Sequence, residues 1–413
     1  MGFTCRLSVI LLSALGVLAG CDGGGSVATQ PQPSSPRDPL IEDFHLPPGF
    51  KIQMYEERVI RPRSLALGDD GTVYVGTYFF TKGLTSPVYA LVDRNRDYEV
   101  DGVVEIRNGF RTPNGVAYHD GTLWITDEDK LWRIDRIEET LESPTVQLIF
   151  DGFPSRAETE EATDVGHFWR YLAYGPDDRL YIPVGTRWSF LVGAHTANDL
   201  KDDWRFSTIL RLNPDGSGVE AFAEGARNSM GMDFHPETGE LWFTDNGASW
   251  PFEDARFYDI PPDELNRASR PGEHFGFPYL HGRLPDPLIG EDAPAGTVPP
   301  QYEFEAHTAP LGMRFYTGSM FPEEYRGAIF VAEHGTEPTT PTTRKSQVSG
   351  NRISVIRLGP DGEPIDHEVF ARIEFTSNAN FRRRPTDLLV MPDGSLLVSD
   401  DHAGAVYRIT YEP

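Results

Sequence analysis

Six times along this chain, a run of alternating apolar residues meets a short turn rich in Gly, Asp or Pro and is followed by a second alternating run. The copies lie at 65–76, 115–125, 172–182, 232–243, 313–331 and 388–398. Two of them read Leu65-Ala66-Leu67-Gly68-Asp69-Asp70-Gly71-Thr72-Val73-Tyr74-Val75 and Leu388-Leu389-Val390-Met391-Pro392-Asp393-Gly394-Ser395-Leu396-Leu397-Val398. Period-two alternation marks a strand, and Asp and Gly tolerate the backbone angles of a tight turn, so each copy reads as a β-hairpin. Hairpins recurring about every 50 to 80 residues predict blades of about four strands around a central channel. Six copies predict an all-β chain: a six-bladed β-propeller with four-stranded antiparallel blades. A β-sandwich competes, but it rarely reaches this length or repetition. In a propeller the loops at one end converge on the channel, so residues just outside the strands meet there across large sequence gaps.

The chain opens with Arg6, an apolar run from Leu7 to Leu18, and then Ala19-Gly20-Cys21. The run is shorter than the roughly 20 residues a membrane-spanning helix requires. It reads as a signal peptide over 1–20 that resembles a bacterial lipobox, with Cys21 as the lipidated N-terminus. Residues 21–39 are mostly Gly, Ser, Pro, Gln and Thr and read as a flexible tether, leaving 40–413 for the propeller. The expected location is the bacterial cell envelope, facing the periplasm or the cell surface, with membrane attachment through the lipid only. Cys5 and Cys21 are the only cysteines, so zinc–cysteine sites and thiol catalysis have no support. A net charge of −26 argues against nucleic acid and anionic membrane surfaces as partners.

Chemistry gathers at a few places. His167, in Gly166-His167-Phe168-Trp169-Arg170, stands just ahead of a strand and is placed to take a proton near neutral pH. From this residue alone the favoured reading is a structural histidine hydrogen-bonded at a strand end, and it is the segments further along the chain that turn the balance. Further on come Ala226-Arg227-Asn228-Ser229-Met230-Gly231 and Leu241-Trp242-Phe243-Thr244-Asp245-Asn246-Gly247. With the His167 segment, Leu46-Pro47-Pro48-Gly49-Phe50, Phe275-Gly276-Phe277-Pro278-Tyr279 and Gly312-Met313-Arg314-Phe315-Tyr316, these resemble the soluble sugar dehydrogenases that use pyrroloquinoline quinone (PQQ), in particular the sorbosone-dehydrogenase-like branch.

That resemblance implies a PQQ- and Ca²⁺-dependent oxidation of a sugar or related hydroxy or aldehyde compound, with electrons passed to an external acceptor. It implies His167 as catalytic base and Asn114, Arg227, Asn228 and Arg384 as cofactor contacts. It also implies that the carbonyls of Gly247 and Ala248 hold Ca²⁺. The chemistry suits these residue types: PQQ is a planar tricarboxylate that guanidinium forks match, and Ca²⁺ takes main-chain oxygens. Three positions depart from the family pattern. Thr186 stands where an Asp supports the histidine, Thr386 stands where a second cofactor arginine falls, and no lysine lies near Phe330–Gly335. His334 is the expected stand-in for that lysine, with Arg344 or Lys345 as other sources of charge.

Asp93-Arg94-Asn95-Arg96-Asp97-Tyr98-Glu99-Val100-Asp101 spaces oxygens like the start of an EF-hand loop but has Tyr98 at the sixth position and Val104 at the twelfth; it reads as a solvated inter-strand loop. The run Arg382-Arg383-Arg384 reads as an anchor for cofactor carboxylates. Two other classes stay open from the residues alone. One is a six-bladed metal-dependent lactonase, and the other is a non-catalytic propeller that displays its loops to a protein or glycan.

Overall fold

The computed structural model describes residues 41, 43–78, 85–155, 167–187, 203–248, 260–286, 291–335, 349–373 and 383–413. The segments expected to be a signal peptide (1–20) and a tether (21–39), with Cys21, lie outside these residues. The described part is a six-bladed propeller of four-stranded antiparallel blades. Each of the six sequence hairpins forms the innermost and second strands of one blade. The innermost strands are Pro62–Leu67, Val116–His119, Ala173–Tyr174, Ser229–Phe234, Pro310–Phe315 and Pro385–Val390. They follow one another in ring order around the channel, and at the junction of the third and fourth blades it is the second strand Leu180–Val184 that meets Ser229–Phe234.

Second strands such as Val73–Thr77, Leu241–Asp245 and Leu396–Asp400 are buried along their whole length. A neighbouring blade covers each of their faces, so apolar runs such as Leu396-Leu397-Val398 replace strict alternation. The turns use positive φ where the sequence supplies Asp and Gly, as at Asp120 (φ 44°) and Gly121 (φ 71°). Six apolar clusters fill the six gaps between blades. Between the fifth and sixth blades, Tyr316 stacks on Phe321 with centroids 4.4 Å apart, and Phe370 meets Phe330 edge-on at 5.0 Å. Each such buried aromatic contributes on the order of 1.5–3 kcal/mol.

The ends of the chain close the ring. Phe50–Glu56 pairs antiparallel with Ala405–Tyr411 as the outermost strand of the sixth blade, and Phe44–His45 adds an edge to the fifth. The Asp93–Asp101 loop joins the last two strands of the first blade. Its carboxylates bond within the loop itself, Asp93 accepting from the Asp97 and Tyr98 N–H groups and Asp101 from that of Arg94. Among the described residues no helix is long and apolar enough to cross a membrane.

Candidate functional site

Every innermost strand starts at one end of the propeller, and every second strand finishes there. Asn114, His167, Arg227, Asn228 and Arg384 precede innermost strands, while Gly247, Ala248 and His334 follow second strands. The topology therefore brings all eight expected site residues to a single mouth.

A repeated device holds this mouth together. Three second strands end in a hydroxyl residue followed by Asp: Thr126-Asp127, Thr244-Asp245 and Ser399-Asp400. The hydroxyl reaches the next blade, with Thr126 donating to Arg170 O (2.7 Å), Thr244 to Leu311 O (2.7 Å) and Ser399 to Arg63 O (2.6 Å). The Asp accepts main-chain N–H groups of its own blade. Asp245 takes those of Arg227 (2.7 Å) and Asn228 (2.5 Å), Asp127 those of Arg111 and Thr112, and Asp400 those of His402, Ala403 and Arg384. Sequence reasoning missed these residues, although the recurring Thr/Ser-Asp step was in view.

A cavity of about 930 Å³ opens at this mouth. Arg63, Trp169, Asn228, Asn246, His334 and Arg384 are among its walls. Arg63 lies over the rings of Tyr78 (5.3 Å) and Trp169 (5.9 Å). It donates from Nε to Asn114 Oδ1 (3.0 Å) and from Nη1 to Asp401 Oδ2 (2.7 Å). The other oxygen of Asp401 meets His334 Nε2 at 2.9 Å. Charge from His334, Arg63 and Arg384 outweighs burial and holds the Asp401 carboxyl far below the usual carboxylate range. Burial, then the guanidinium groups of Arg384 and Arg63, push His334 down to about 4 against the pull of Asp401. His334 is therefore neutral at pH 7, with its proton on Nε2 toward Asp401.

His167 packs against Gly185, next to Asn228. A Cβ on Gly185 would fall 2.5 Å from His167 Cβ and 3.0 Å from Asn228 Oδ1, so glycine is what lets the histidine and Asn228 approach. Both ring nitrogens are closed off from solvent, and neither has a hydrogen-bond partner among the described residues. Burial first, then Arg227 and Arg170, hold His167 well below the ordinary histidine range, so it is neutral. Arg170 donates to the His167 carbonyl at 3.0 Å and ties down its backbone. The hydroxyl of Thr186 and Oδ1 of Asn246 are also buried with no hydrogen-bond partner among the described residues. Buried polar atoms without partners are costly; Asn246 lines the cavity, and His167 packs at Gly185 beside Asn228 of its wall.

Some expected residues do other work. Asn114 is buried with its amide committed at both ends, accepting from Arg63 and donating to Arg170 O (3.1 Å). Gly247 O and Asn246 O accept from Arg227 Nη1 at 2.7 and 3.0 Å, so a guanidinium occupies the carbonyl expected to face Ca²⁺. Burial lowers that guanidinium to about 10. Among the described residues no group of three His, Cys, Asp or Glu side chains gathers to hold a metal. Asp245, pushed up to about 7 chiefly by burial, and Asp263 serve main-chain N–H groups instead, the latter that of Gly247 at 2.7 Å. Of the arginine run, Arg383 turns inward to Asp43, and Arg384 lines the cavity, donating to the carbonyls of His334 and Gly335. Thr386, in place of a cofactor arginine, bonds Pro62 O and Ser399 and ties the sixth blade to the first. Arg344, Lys345 and Arg382 lie outside the described residues. Arg61 and Arg63 also line the cavity.

Residues 36–408 match the family described as "Domain of unknown function (DUF7133)". The chain belongs to this family. An uncharacterized protein of Borreliella burgdorferi is 28% identical over 387 residues, covering 90% of this chain and 92% of its own. Among solved structures, a carbohydrate-active enzyme of family AA12 from Trichoderma reesei is similar with a TM-score of 0.70 at 16% identity, covering 92% of this family member and 100% of its own chain. The holo form of the pyranose dehydrogenase PQQ domain from Coprinopsis cinerea follows at 0.68 and 16%, with coverages of 89% and 97%. The PQQ-bound aldose sugar dehydrogenase of Streptomyces coelicolor is similar at 0.59 and 16%, with coverages of 89% and 100%. At these identities the likeness is one of fold.

Proposed function

We propose that this propeller is a PQQ- and Ca²⁺-dependent oxidoreductase that oxidises a sugar or related hydroxy or aldehyde compound and passes the electrons to an external acceptor. One observation carries the reading. In a chain of net charge −26, Arg63 and Arg384 line one cavity, and Arg227, at the same mouth, acts on a neutral histidine whose ring nitrogens have no hydrogen-bond partner among the described residues. A planar tricarboxylate fits such a set, because guanidinium forks bind carboxylates in two-point contacts. Support also comes from similar folds whose names include PQQ-bound sugar dehydrogenases.

Arg384 and Arg227 would hold carboxylate and quinone oxygens, and Asn228 would add an amide whose backbone Asp245 fixes. The carbonyls of Gly247 and Ala248, with the orphaned Asn246 Oδ1 nearby, offer oxygen to Ca²⁺ once Arg227 turns from Gly247 O to the ligand. These oxygens are fewer than the six to eight that Ca²⁺ takes, so the bound anion and water would supply the rest of its shell. When bound, the quinone supplies the hydride acceptor and Ca²⁺ the Lewis acid that polarises it. His167 takes the hydroxyl proton of the substrate on a ring nitrogen, which burial keeps free of protons at pH 7. Trp169 and Tyr78 present aromatic surface that keeps water from the cavity wall. The same proposal keeps Cys21 as the lipid attachment point and the cell envelope as the location; labelled fatty acid that a Cys21→Ala chain still incorporates would remove that part.

The deciding experiment titrates the purified protein with PQQ in the presence of Ca²⁺ and follows the absorbance of the quinone. Saturable binding that EDTA reverses is expected, followed by sugar-dependent reduction of an artificial acceptor. Absence of binding at micromolar quinone would overturn the reading.

A further inference from the structure

We propose that Arg63 and His334, held side by side by Asp401, form a recognition wall for a carboxylate that is flanked by a ring N–H. The inference rests on the quinone reading and deepens it, since the pyrrole-2-carboxylate edge of PQQ has this pattern. Neither Arg63 nor Asp401 was assigned a role by the family resemblance.

The geometry argues for positioning. Asp401 uses both oxygens, Oδ2 on Arg63 Nη1 at 2.7 Å and Oδ1 on His334 Nε2 at 2.9 Å, and so joins side chains from the first and fifth blades to the end of a sixth-blade strand. Arg63 is anchored a second time, from Nε to Asn114 at 3.0 Å, and the Tyr78 and Trp169 rings lie beneath it. Two of its three guanidinium nitrogens are thus committed. The third, Nη2, has no hydrogen-bond partner among the described residues, and Arg63 lines the cavity. Both side chains are buried to about nine-tenths, 6% and 12% exposed. Because the ionised Asp401 takes the Nε2 proton, His334 is left with an acceptor at Nδ1. A fixed donor and a fixed acceptor, bonded to the same carboxylate, face one ligand: the donor suits a carboxylate oxygen and the acceptor suits a neighbouring N–H.

A carboxylate at an anion site would by charge alone oppose the ligand. Its removal would then tighten anion binding several-fold. Positioning predicts the opposite sign, and that difference makes the test decisive.

The test uses two small probes, pyrrole-2-carboxylate and furan-2-carboxylate, which differ in the ring N–H. Each is measured by ligand-observed NMR and by competition with PQQ on the full chain with Ca²⁺. Wild type should bind the pyrrole at least about tenfold more tightly than the furan, the order expected when a buried acceptor goes unpaired. Asp401→Asn should weaken the pyrrole probe about tenfold and erase the preference. His334→Phe should erase the preference while keeping furan affinity within about twofold, because Arg63 and Asp401 remain paired; this variant decides the matter if Asp401→Asn does not fold. Tighter binding of both probes to Asp401→Asn, an unchanged preference in His334→Phe, or no probe binding to wild type would each overturn the proposal. A wild type that prefers the pyrrole but does not bind PQQ would leave this wall standing and bring down the quinone reading instead.

Discussion

Replacing Asp245 by Asn, with Asp127→Asn as its internal control, separates what the clamp does for the fold from what it does for the site. Both carboxylates stand at the end of a second strand and accept main-chain N–H groups that precede the innermost strand of the same blade, but only Asp245 holds a cavity-lining residue, Asn228, together with Arg227. Its bonds to Arg227 and Asn228 are 2.7 and 2.5 Å, and a hydrogen bond to a charged group is worth about 1.5–3 kcal/mol net. Asparagine keeps one accepting oxygen and turns an NH₂ toward the other N–H, so one bond is lost and a donor faces a donor. The expected loss is about 2–3 kcal/mol of unfolding free energy for each variant. The measurement is urea unfolding at pH 8.5, above the value of about 7 to which burial raises Asp245, so that its carboxylate is ionised. PQQ titration of the same samples should show affinity about tenfold weaker in Asp245→Asn and unchanged in Asp127→Asn. Equal loss of binding in both variants would mean that general loosening of the ring, not placement of Arg227 and Asn228, moves the affinity. Stability within 0.5 kcal/mol of wild type, the ordinary range for inconsequential substitutions, would refute the clamp itself.

Three further outcomes are expected. Gly185→Ala should lower turnover at least tenfold and cost more than about 1 kcal/mol of stability, because its Cβ would lie 2.5 Å from His167 Cβ; wild-type turnover would show that His167 need not sit where it does. His167→Asn should abolish sugar oxidation while leaving the quinone dissociation constant within about threefold, and retained activity would take the base role from His167. Acid should act through His334. Its folded-state value of about 4 lies below the unfolded value of about 6.5, so below pH 6.5 the unfolded chain takes up a proton that the folded chain refuses. Stability from this group is therefore complete above pH 6.5 and is lost as pH falls toward 4, by about 3 kcal/mol in all. Asp400, raised by burial to about 7, acts in the opposite sense, so the histidine part is read as wild type minus His334→Phe in urea unfolding across pH 4–8. Parallel curves for the two proteins would contradict it.

The repeat made the propeller legible because each hairpin is a local object, complete within about a dozen residues and marked by a turn whose chemistry is readable. The same logic placed Asn114, His167, Arg227, Asn228, Gly247, Ala248, His334 and Arg384 at one end, since strand order alone decides which end a flanking residue occupies. What each side chain does there was not legible, because it depends on partners from other blades. Arg63 lies 338 positions from Asp401 and 51 from Asn114, and nothing in the Arg61-Pro62-Arg63 step signals either bond. It could have been found by position: Arg63 stands at the start of the first innermost strand, as Asn228 and Arg384 stand just before the fourth and sixth. Thr386 teaches the converse. Reading it as a lost cofactor arginine assumed that binding charge must come from the same strand, whereas the ring lets the opening blade supply it while Thr386 ties the last blade to the first. In a closed ring of blades, a cation missing at one rim position can be replaced at another without changing the cavity's charge. Matching residues strand by strand therefore understates how well such a mouth keeps its chemistry.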